Sequence, residues 1–347
     1  MDNATYPRIK AIIIGCGFVG TNLVRMASEK GVDFIGGFAR TGSKKIGTDL
    51  GEISHMAKTG VLIQDWDNLD EFVHANRVDT AIHTPANPIS KSVEQVKTCL
   101  RNGVNVLTSL ADVYVMRKDE PALFAELDAL AKANDATFVA SGIQDVFWTA
   151  LPVALSGCCV EAQGIMGRNV AFVDGFGPGV ADECFVGWDY DDFKREVGEA
   201  PLQNDFLIAL YELADVLGLH ALSESSKMEP LFAEQDMYCA GIDRHIRKGQ
   251  LRGNYVESRI KTQEGVDLAC QFVSTVSVEG LSEENRWTIT GTPTINIITE
   301  QMQGEITTES NMLNRIPDVI NAAPGVISAG YLPAPYFKVH PLGSYVK

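Results

Sequence analysis

An apolar run that leads into closely spaced glycines constrains the fold of this chain more than any other feature. Ala11 to Ile14 read as a short buried strand, Gly15, Gly17 and Gly20 follow in the order Gly-x-Gly-x-x-Gly, and a helical pattern begins at Thr21. Such a strand, glycine turn and helix can hold a dinucleotide pyrophosphate, because free amides and the helix dipole favour an anion at the helix N-terminus. The stretch therefore predicts nucleotide binding rather than a glycine-rich turn without a ligand.

The three glycines have separate predicted roles in this turn. Gly15 permits the tight bend, Gly17 lets the backbone approach the phosphates, and Gly20 allows the helix to pack closely on the strand. Phe18 and Val19 stand between the last two glycines. They are predicted to join the glycines in the cofactor-binding segment.

The end of the next strand predicts the form of the cofactor. After the apolar run from Val32 to Phe38, NAD-binding proteins place Asp or Glu for the ribose 2′-hydroxyl, whereas NADP-binding proteins supply a cation. Residues 39–45 contain no carboxylate and three positive charges, which favours NADP(H), with NAD(H) as the alternative. Arg40 is the first candidate, because a guanidinium group can pair with phosphate through two hydrogen bonds and stack on adenine. The predicted contacts are Arg40, Thr41, Ser43 and Lys44, and a solvated basic loop is the alternative interpretation.

The overall composition excludes several classes of protein. The chain has 347 residues, 45% of them hydrophobic, and a formal net charge of −16, which suits two globular domains and argues against nucleic acid or an anionic membrane as partner. No apolar run approaches the roughly 18 residues of a membrane span, and no signal-like leader opens the chain, so we expect a cytoplasmic protein. The seven cysteines include no Cys-x-x-Cys pair and the histidines lack metal-ligand spacing, so no metal is predicted.

The order of predicted elements divides the chain into three parts. Strand-like and helical stretches alternate over residues 1–147, which predicts an α/β fold with a Rossmann-type, doubly wound parallel sheet. Long strand candidates dominate residues 148–308, which predicts a second α+β domain with a mostly antiparallel sheet for substrate binding and dimerisation. Those candidates are 163–173, 254–261, 269–278 and 287–299. Residues 309–347 return to helical spacing and are predicted to pack on the first domain.

Ligands of an open α/β sheet lie beyond the carboxyl ends of its strands, so residues that follow each strand are candidates for the site. His83 and Thr84 follow the fourth predicted strand, Asp112 the fifth and Asp145 the sixth. A carboxylate there can move a proton during catalysis, which makes Asp112 and Asp145 the catalytic candidates. A helix cap, or for Asp145 a salt bridge, is the alternative. His83 and Thr84 are assigned to the cofactor, although a histidine that ends a buried strand is also a common structural residue.

Aromatic residues near the start of the second domain are the candidates for a substrate pocket. Phe147 and Trp148 come shortly after Asp145, and Phe176 lies in the glycine-rich stretch from Asp174 to Gly179. Such rings can line an apolar pocket for a small alkyl or aryl group. Core packing for the first two, and a plain loop for Phe176, are the alternatives.

Several of these segments together resemble the 2,4-diaminopentanoate dehydrogenase and native amine dehydrogenase group, which has a dihydrodipicolinate reductase-type N-terminal domain. The markers are Thr48 to Glu52, Gly142-Ile143, Leu151 to Gly157 and Ile316 to Gly325. The resemblance is strongest over residues 10–180 and again over 310–333. It implies an NAD(P)-dependent enzyme that oxidatively deaminates a small amine, or aminates the matching ketone in reverse, and that forms a homodimer.

The chain departs from the pattern of this group at its acidic residues. The group has a Thr-x-x-Glu-Glu-like run whose glutamate assists proton transfer on the amine, whereas this chain reads Thr108-Ser-Leu-Ala111-Asp112. The resemblance therefore moves the acid to Asp112 or Asp145. Two alternatives remain open at this point: an imine or ketone reductase that needs no ammonia, and a protein that binds NADP(H) as a sensor without turnover.

Overall fold

A computed structural model describes residues 6–85, 88–197 and 205–347 of the chain. Its strands are β1 (Ile9–Ile14), β2 (Val32–Ala39), β3 (Ile63–Asp65), β4 (Thr80–His83), β5 (Asn105–Thr108), β6 (Thr137–Ala140), β7 (Glu161–Phe172), β8 (Ala221–Phe232), β9 (Met237–Cys239), β10 (Arg244–Ile246), β11 (Leu251–Thr262), β12 (Asp267–Thr275), β13 (Glu284–Thr292), β14 (Ile295–Glu300) and β15 (Gly325–Val326).

Helices connect most of these strands in the first part of the chain. They are α1 (Phe18–Glu29), α2 (Leu50–Ile53), α3 (Leu69–Ala75), α4 (Val93–Arg101), α5 (Met116–Asp119), α6 (Pro121–Ala133), α7 (Leu151–Ser156), α8 (Pro178–Glu183), α9 (Tyr190–Val197), α10 (Asp205–Leu217) and α11 (Gly304–Asn321). None of the helices in the described ranges has the length and apolar character needed to cross a membrane.

The chain divides into two compact units. The first consists of the residues up to Val146 together with Thr308–Lys347, and the second is Phe147–Thr307. Helix α11 from Thr308 onward and β15 therefore belong to the same unit as the N-terminal strands. Our sequence-based boundaries fell after residues 147 and 308.

The first unit contains a parallel sheet of the doubly wound type. Its seven strands lie in the order β15-β6-β5-β4-β1-β2-β3, and all their pairings are parallel. The chain starts in the middle of the sheet and winds outward in both directions, as in dinucleotide-binding folds. The prediction of a Rossmann-type sheet is confirmed.

Both faces of this sheet are buried, which explains the nearly continuous apolar sequence of its central strand β1. Ile12 and Ile14 point to the face covered by α3, α4 and α6. Ala11 and Ile13 point to the opposite face, which is covered by α1 and α11. Because α11 covers this face, the helical pattern near the C-terminus contributes to the core of the first unit.

The second unit is built on a mixed sheet of six strands. Their order is β14-β13-β7-β12-β11-β8, and every pairing is antiparallel except that of β7 with β12. The predicted α+β domain with a mostly antiparallel sheet is confirmed. The run from Trp287 to Thr299, predicted as one strand, is instead divided between β13 and β14, which pair antiparallel with each other.

Candidate functional site

The first glycine of the turn is fixed by the strand beside it. Gly15 follows β1 with a φ of 97°, a conformation that glycine adopts far more readily than other residues. A Cβ atom there would lie 2.6 Å from the carbonyl carbon and oxygen of Thr84. The Thr84 hydroxyl also donates to the Gly15 carbonyl at 2.8 Å. Gly15 and Thr84 therefore hold the ends of β1 and β4 together, and only glycine fits the first position.

The other two glycines differ in what surrounds them. A Cβ atom on Gly20 would lie 2.2 Å from the Gly15 carbonyl oxygen, whereas one on Gly17 would meet no atom within 4 Å. Gly20 therefore permits the close packing of α1 on the turn. Gly17 leaves an open approach to the backbone at the start of α1, and no side chain caps that helix end. These features fit the pyrophosphate of a dinucleotide, which binds where helix amides are free.

The two residues between these glycines begin α1. Phe18 has 52% of its surface exposed, whereas Val19 packs against the core on the α1 face of the sheet. The exposed ring lies next to the open approach at Gly17. Phe18 is therefore the better placed of the two to contact a bound cofactor.

The loop after β2 carries the predicted phosphate ligands on its surface. Arg40, Thr41 and Lys44 are exposed, and Ser43 is half-buried. In the described part of the chain, Arg40 and Lys44 form no ion pair, so both cations are available to a ligand. The Thr41 hydroxyl, however, donates to the carboxylate of Asp65 at 2.7 Å. That carboxylate comes from the end of β3, which the sequence analysis did not consider.

His83 lies in the interior at the end of β4. Its side chain is fully buried, and its Nδ1 atom lies 3.0 Å from the hydroxyl of Thr108 on β5. Burial lowers the pKa of His83 to about 3, so the imidazole is neutral near pH 7. Its buried Nε2 atom has no hydrogen-bond partner among the described residues. His83 is therefore better suited to act as a neutral hydrogen-bonding group than as a proton carrier.

Asp112 combines burial with an unused oxygen. Its Oδ2 atom accepts a hydrogen bond from the backbone amide of Ile89 at 2.7 Å. Its Oδ1 atom is buried and has no partner within the described ranges. Burial, the strongest influence, raises the pKa of Asp112 above its ordinary value, although the Ile89 amide opposes this. A carboxyl group of this kind can exchange protons closer to neutral pH than a solvated aspartate can.

Asp145 lies in a buried ion pair. Nε of Arg315 is 2.6 Å from Oδ2 of Asp145, and Nη2 is 2.8 Å from Oδ1. The hydroxyl of Ser141 donates to Oδ2 at 2.8 Å. Both charged side chains are essentially inaccessible to solvent, at 1% and 0% exposed. Because both oxygens are occupied, the geometry favours the salt-bridge alternative over a catalytic role for Asp145.

The aromatic candidates lie in the second unit and differ in their surroundings. Trp148 is 7% exposed, and its ring meets Phe272 edge-on at 6.1 Å between centroids. The carbonyl of Phe147 accepts a hydrogen bond from the indole of Trp287 at 2.6 Å. Phe176 is half-buried in a short helix over Val173–Phe176. The contacts of Trp148 favour core packing within this unit.

Two residues that the sequence analysis did not assign to the site are tied to its elements. Arg315 pairs with Asp145, and the ammonium of Lys45 donates to the carbonyl of Cys16 in the glycine turn. Arg315 carried a signal in the sequence, because it stands between the apolar positions Leu313 and Ile316 of a helix that faces the core. A charge on such a face indicates a buried partner.

Comparison with known proteins identifies the family. The family model of the 2,4-diaminopentanoate dehydrogenase C-terminal domain matches residues 147–342, and that of the dihydrodipicolinate reductase N-terminus matches residues 9–109. The chain is 25% identical over 343 residues to 2,4-diaminopentanoate dehydrogenase of Acetoanaerobium sticklandii, covering 94% of each chain. The resemblance that the sequence motifs indicated is confirmed.

Solved structures extend this result to the whole fold. Amine dehydrogenase from Mycobacterium smegmatis is 29% identical, with a TM-score of 0.89 that covers 96% of this chain and 98% of that one. Myo-inositol 2-dehydrogenase from Lactobacillus plantarum is 13% identical, with a TM-score of 0.54 over 91% and 89% of the two chains, and shares the fold alone. The chain belongs to the 2,4-diaminopentanoate dehydrogenase family and is an NAD(P)-dependent oxidoreductase of the amine dehydrogenase type.

Proposed function

We propose that this protein oxidatively deaminates a small primary amine and, in reverse, aminates the matching ketone with ammonia. The observation that carries this proposal is the buried Oδ1 atom of Asp112, which follows β5 and has no hydrogen-bond partner within the described ranges. The carboxyl end of a parallel sheet is where the reacting part of a bound dinucleotide lies. The names of the relatives support an amine as substrate.

Asp112 has the chemistry that this reaction requires of the protein. An amine substrate is an ammonium ion near neutral pH and must lose a proton before its α-carbon can release hydride. The Oδ1 atom of Asp112 is the proposed acceptor of that proton, and its raised pKa suits transfer in both directions. The nicotinamide ring supplies the hydride acceptor when the cofactor is bound.

NADP(H) is the proposed cofactor, in preference to NAD(H). Arg40 directly follows β2 and, within the described part of the chain, forms no ion pair. A guanidinium group there can hold the 2′-phosphate through two charge-assisted hydrogen bonds. Ser43 and Lys44 lie in the same loop, whereas Thr41 has its hydroxyl directed to Asp65. Arg40 is thus the best supported of the four predicted contacts.

We also propose that the protein is a homodimer, as the resemblance to its family suggests. The six-stranded sheet of the second unit exposes apolar side chains, with Met166 on β7 41% exposed and Ile298 on β14 46% exposed. Met166 pairs with Thr288 of β13, Thr288 pairs with Asn296 of β14, and Ile298 lies two residues beyond Asn296. Because side chains alternate between the two faces along a strand, Met166 and Ile298 lie on the same face of the sheet. A second copy of this chain would cover that face.

A substrate screen tests the proposed reaction. Consumption of NADPH is followed spectrophotometrically with small aliphatic and aryl ketones, each with and without ammonium. We expect turnover that depends on ammonium. Turnover that is equally fast without ammonium would support the alternative of a ketone or imine reductase, which Ala111 in place of the family acid favours. No turnover of any ketone, with or without ammonium, would contradict the proposal.

Replacing Asp112 with asparagine is expected to lower kcat by about 100-fold or more, because the amide cannot accept the proton. The affinity for NADP(H) is expected to stay near that of the wild type. In the wild type, kcat/KM should change with pH around the pKa of Asp112, which lies above the ordinary value for aspartate. The variant should lack this pH dependence. Asp119→Asn, which alters an acid that forms an ion pair at 32% exposure, serves as the matched control. Unchanged turnover in a folded Asp112→Asn variant would exclude Asp112 as the proton carrier.

A further inference from the structure

The ammonium of Lys45 lies against the glycine turn. Its Nζ atom donates to the backbone carbonyl of Cys16, the residue between Gly15 and Gly17. Lys45 itself comes from the loop that follows β2. The contact therefore bridges the two segments between which a dinucleotide-binding fold holds the adenosine ribose.

The loop fixes the backbone of Lys45 from both sides. The Lys45 amide donates to the Ser43 hydroxyl at 3.3 Å. The Lys45 carbonyl accepts from the amide of Thr48 at 3.1 Å and from its hydroxyl at 2.6 Å. By contrast, the neighbouring Lys44 has no side-chain hydrogen bond or ion pair within the described ranges. The position of Lys45 over the turn is therefore built into the loop.

The charge of Lys45 is not neutralised by this contact. The Cys16 carbonyl is neutral, and no carboxylate pairs with Lys45 in the described part of the chain. Two carboxylates in this region, Asp65 and Asp67, accept instead from the hydroxyl of Thr41, at 2.7 and 3.3 Å. A cation held beside the glycine turn without an anionic partner is an arrangement that a 2′-phosphate would complete.

We propose that Lys45, in addition to Arg40, distinguishes NADP(H) from NAD(H), by pairing with the 2′-phosphate beside the glycine turn. This inference rests on the proposed use of NADP(H), and it goes further by adding Lys45 to the contacts predicted for the 2′-phosphate. On binding, the ammonium exchanges its hydrogen bond with the Cys16 carbonyl for a charge-assisted one with the phosphate. With NAD(H), the hydrogen bond with Cys16 remains.

Isothermal titration with NADP⁺ and NAD⁺ tests this assignment on the full-length protein. In Lys45→Met we expect NADP⁺ to bind about 10-fold or more weakly, since one charge-assisted bond is lost, while NAD⁺ changes by less than about threefold. Lys58→Met, the matched control, removes an exposed lysine that pairs with Glu52 and should change both affinities by less than about threefold. Lys45→Arg keeps the charge and is expected to retain most of the affinity for NADP⁺, which gives a second test if Lys45→Met does not fold.

The possible results separate this assignment from the proposed cofactor preference. If Lys45→Met weakens the affinity for both cofactors equally, Lys45 only stabilises the conformation of the turn, and the inference is overturned. A loss in Lys58→Met as large as in Lys45→Met would also overturn it. A wild-type protein that binds NAD⁺ as tightly as NADP⁺ would contradict the preference alone. A loss confined to NADP⁺ in Lys45→Met would support the inference even then.

Discussion

Replacing Gly17 with valine is expected to abolish binding of NADP(H) and NAD(H) while the protein remains folded. The backbone of Gly17 has a φ of −78°, which any residue adopts, and a Cβ atom would meet nothing within 4 Å. The fold therefore accepts the side chain. The isopropyl group would fill the space through which the pyrophosphate approaches the backbone, so titration should show at least about a 100-fold loss of affinity.

Two further variants control for effects on the fold. Gly179→Val makes the same substitution at another glycine that has no atoms within 4 Å and no positive φ, and it should leave cofactor affinity near that of the wild type. Gly17→Ala adds a smaller group and should give an intermediate loss. The midpoint of thermal unfolding should be similar in the wild type and in all three variants. Cofactor binding at wild-type affinity by folded Gly17→Val would mean that another segment holds the pyrophosphate.

The glycine turn was predictable because its signals are local. The tight bend at Gly15 and the start of α1 depend on residues that are close together in sequence. The apolar strand before them has to be buried on both faces wherever it is placed in a parallel sheet. Sequence alone therefore identified the strand, turn and helix of this segment and the class of ligand that it binds.

Strands with exposed surfaces were harder to predict. The first residues of β8 are exposed on both sides of the strand, and its position at the edge of the sheet explains this. Such a strand lacks the apolar alternation by which strands are recognised, so it was missed. The division between β13 and β14 was also missed, because apolar residues continue on both sides of the turn at Pro293.

The partner of Asp145 could not be predicted for a different reason. Arg315 is 170 residues away in sequence, and only the packing of α11 on the sheet brings the two together. Position after a predicted strand made both Asp145 and Asp112 candidates, with Asp112 as the first choice. Their hydrogen bonds separate them, since Asp145 has both oxygens occupied and Asp112 has one unused.

Replacing Arg315 with methionine is expected to lower the free energy of unfolding by roughly 3–5 kcal/mol, because a buried carboxylate would lose its cation. Besides Asp145, the guanidinium group donates to the carbonyls of Ala329 and Pro333, which hold the C-terminal segment. Urea unfolding measures the loss. The control is Arg25→Met, which breaks an exposed ion pair with Glu29 and should cost about 1 kcal/mol or less. A loss as small as the control's would contradict the structural role.

The double variant Asp145→Leu, Arg315→Met then separates stability from catalysis. Removing both charges leaves no unpaired ion in the interior, so part of the stability lost in Arg315→Met is expected to return. The carbonyls of Ala329 and Pro333 remain without their donor, so recovery should be incomplete. If turnover per folded molecule in the double variant stays near that of the wild type, Asp145 serves the fold and Asp112 carries the proton. If turnover falls by about 100-fold or more with the protein folded, Asp145 takes part in the reaction itself.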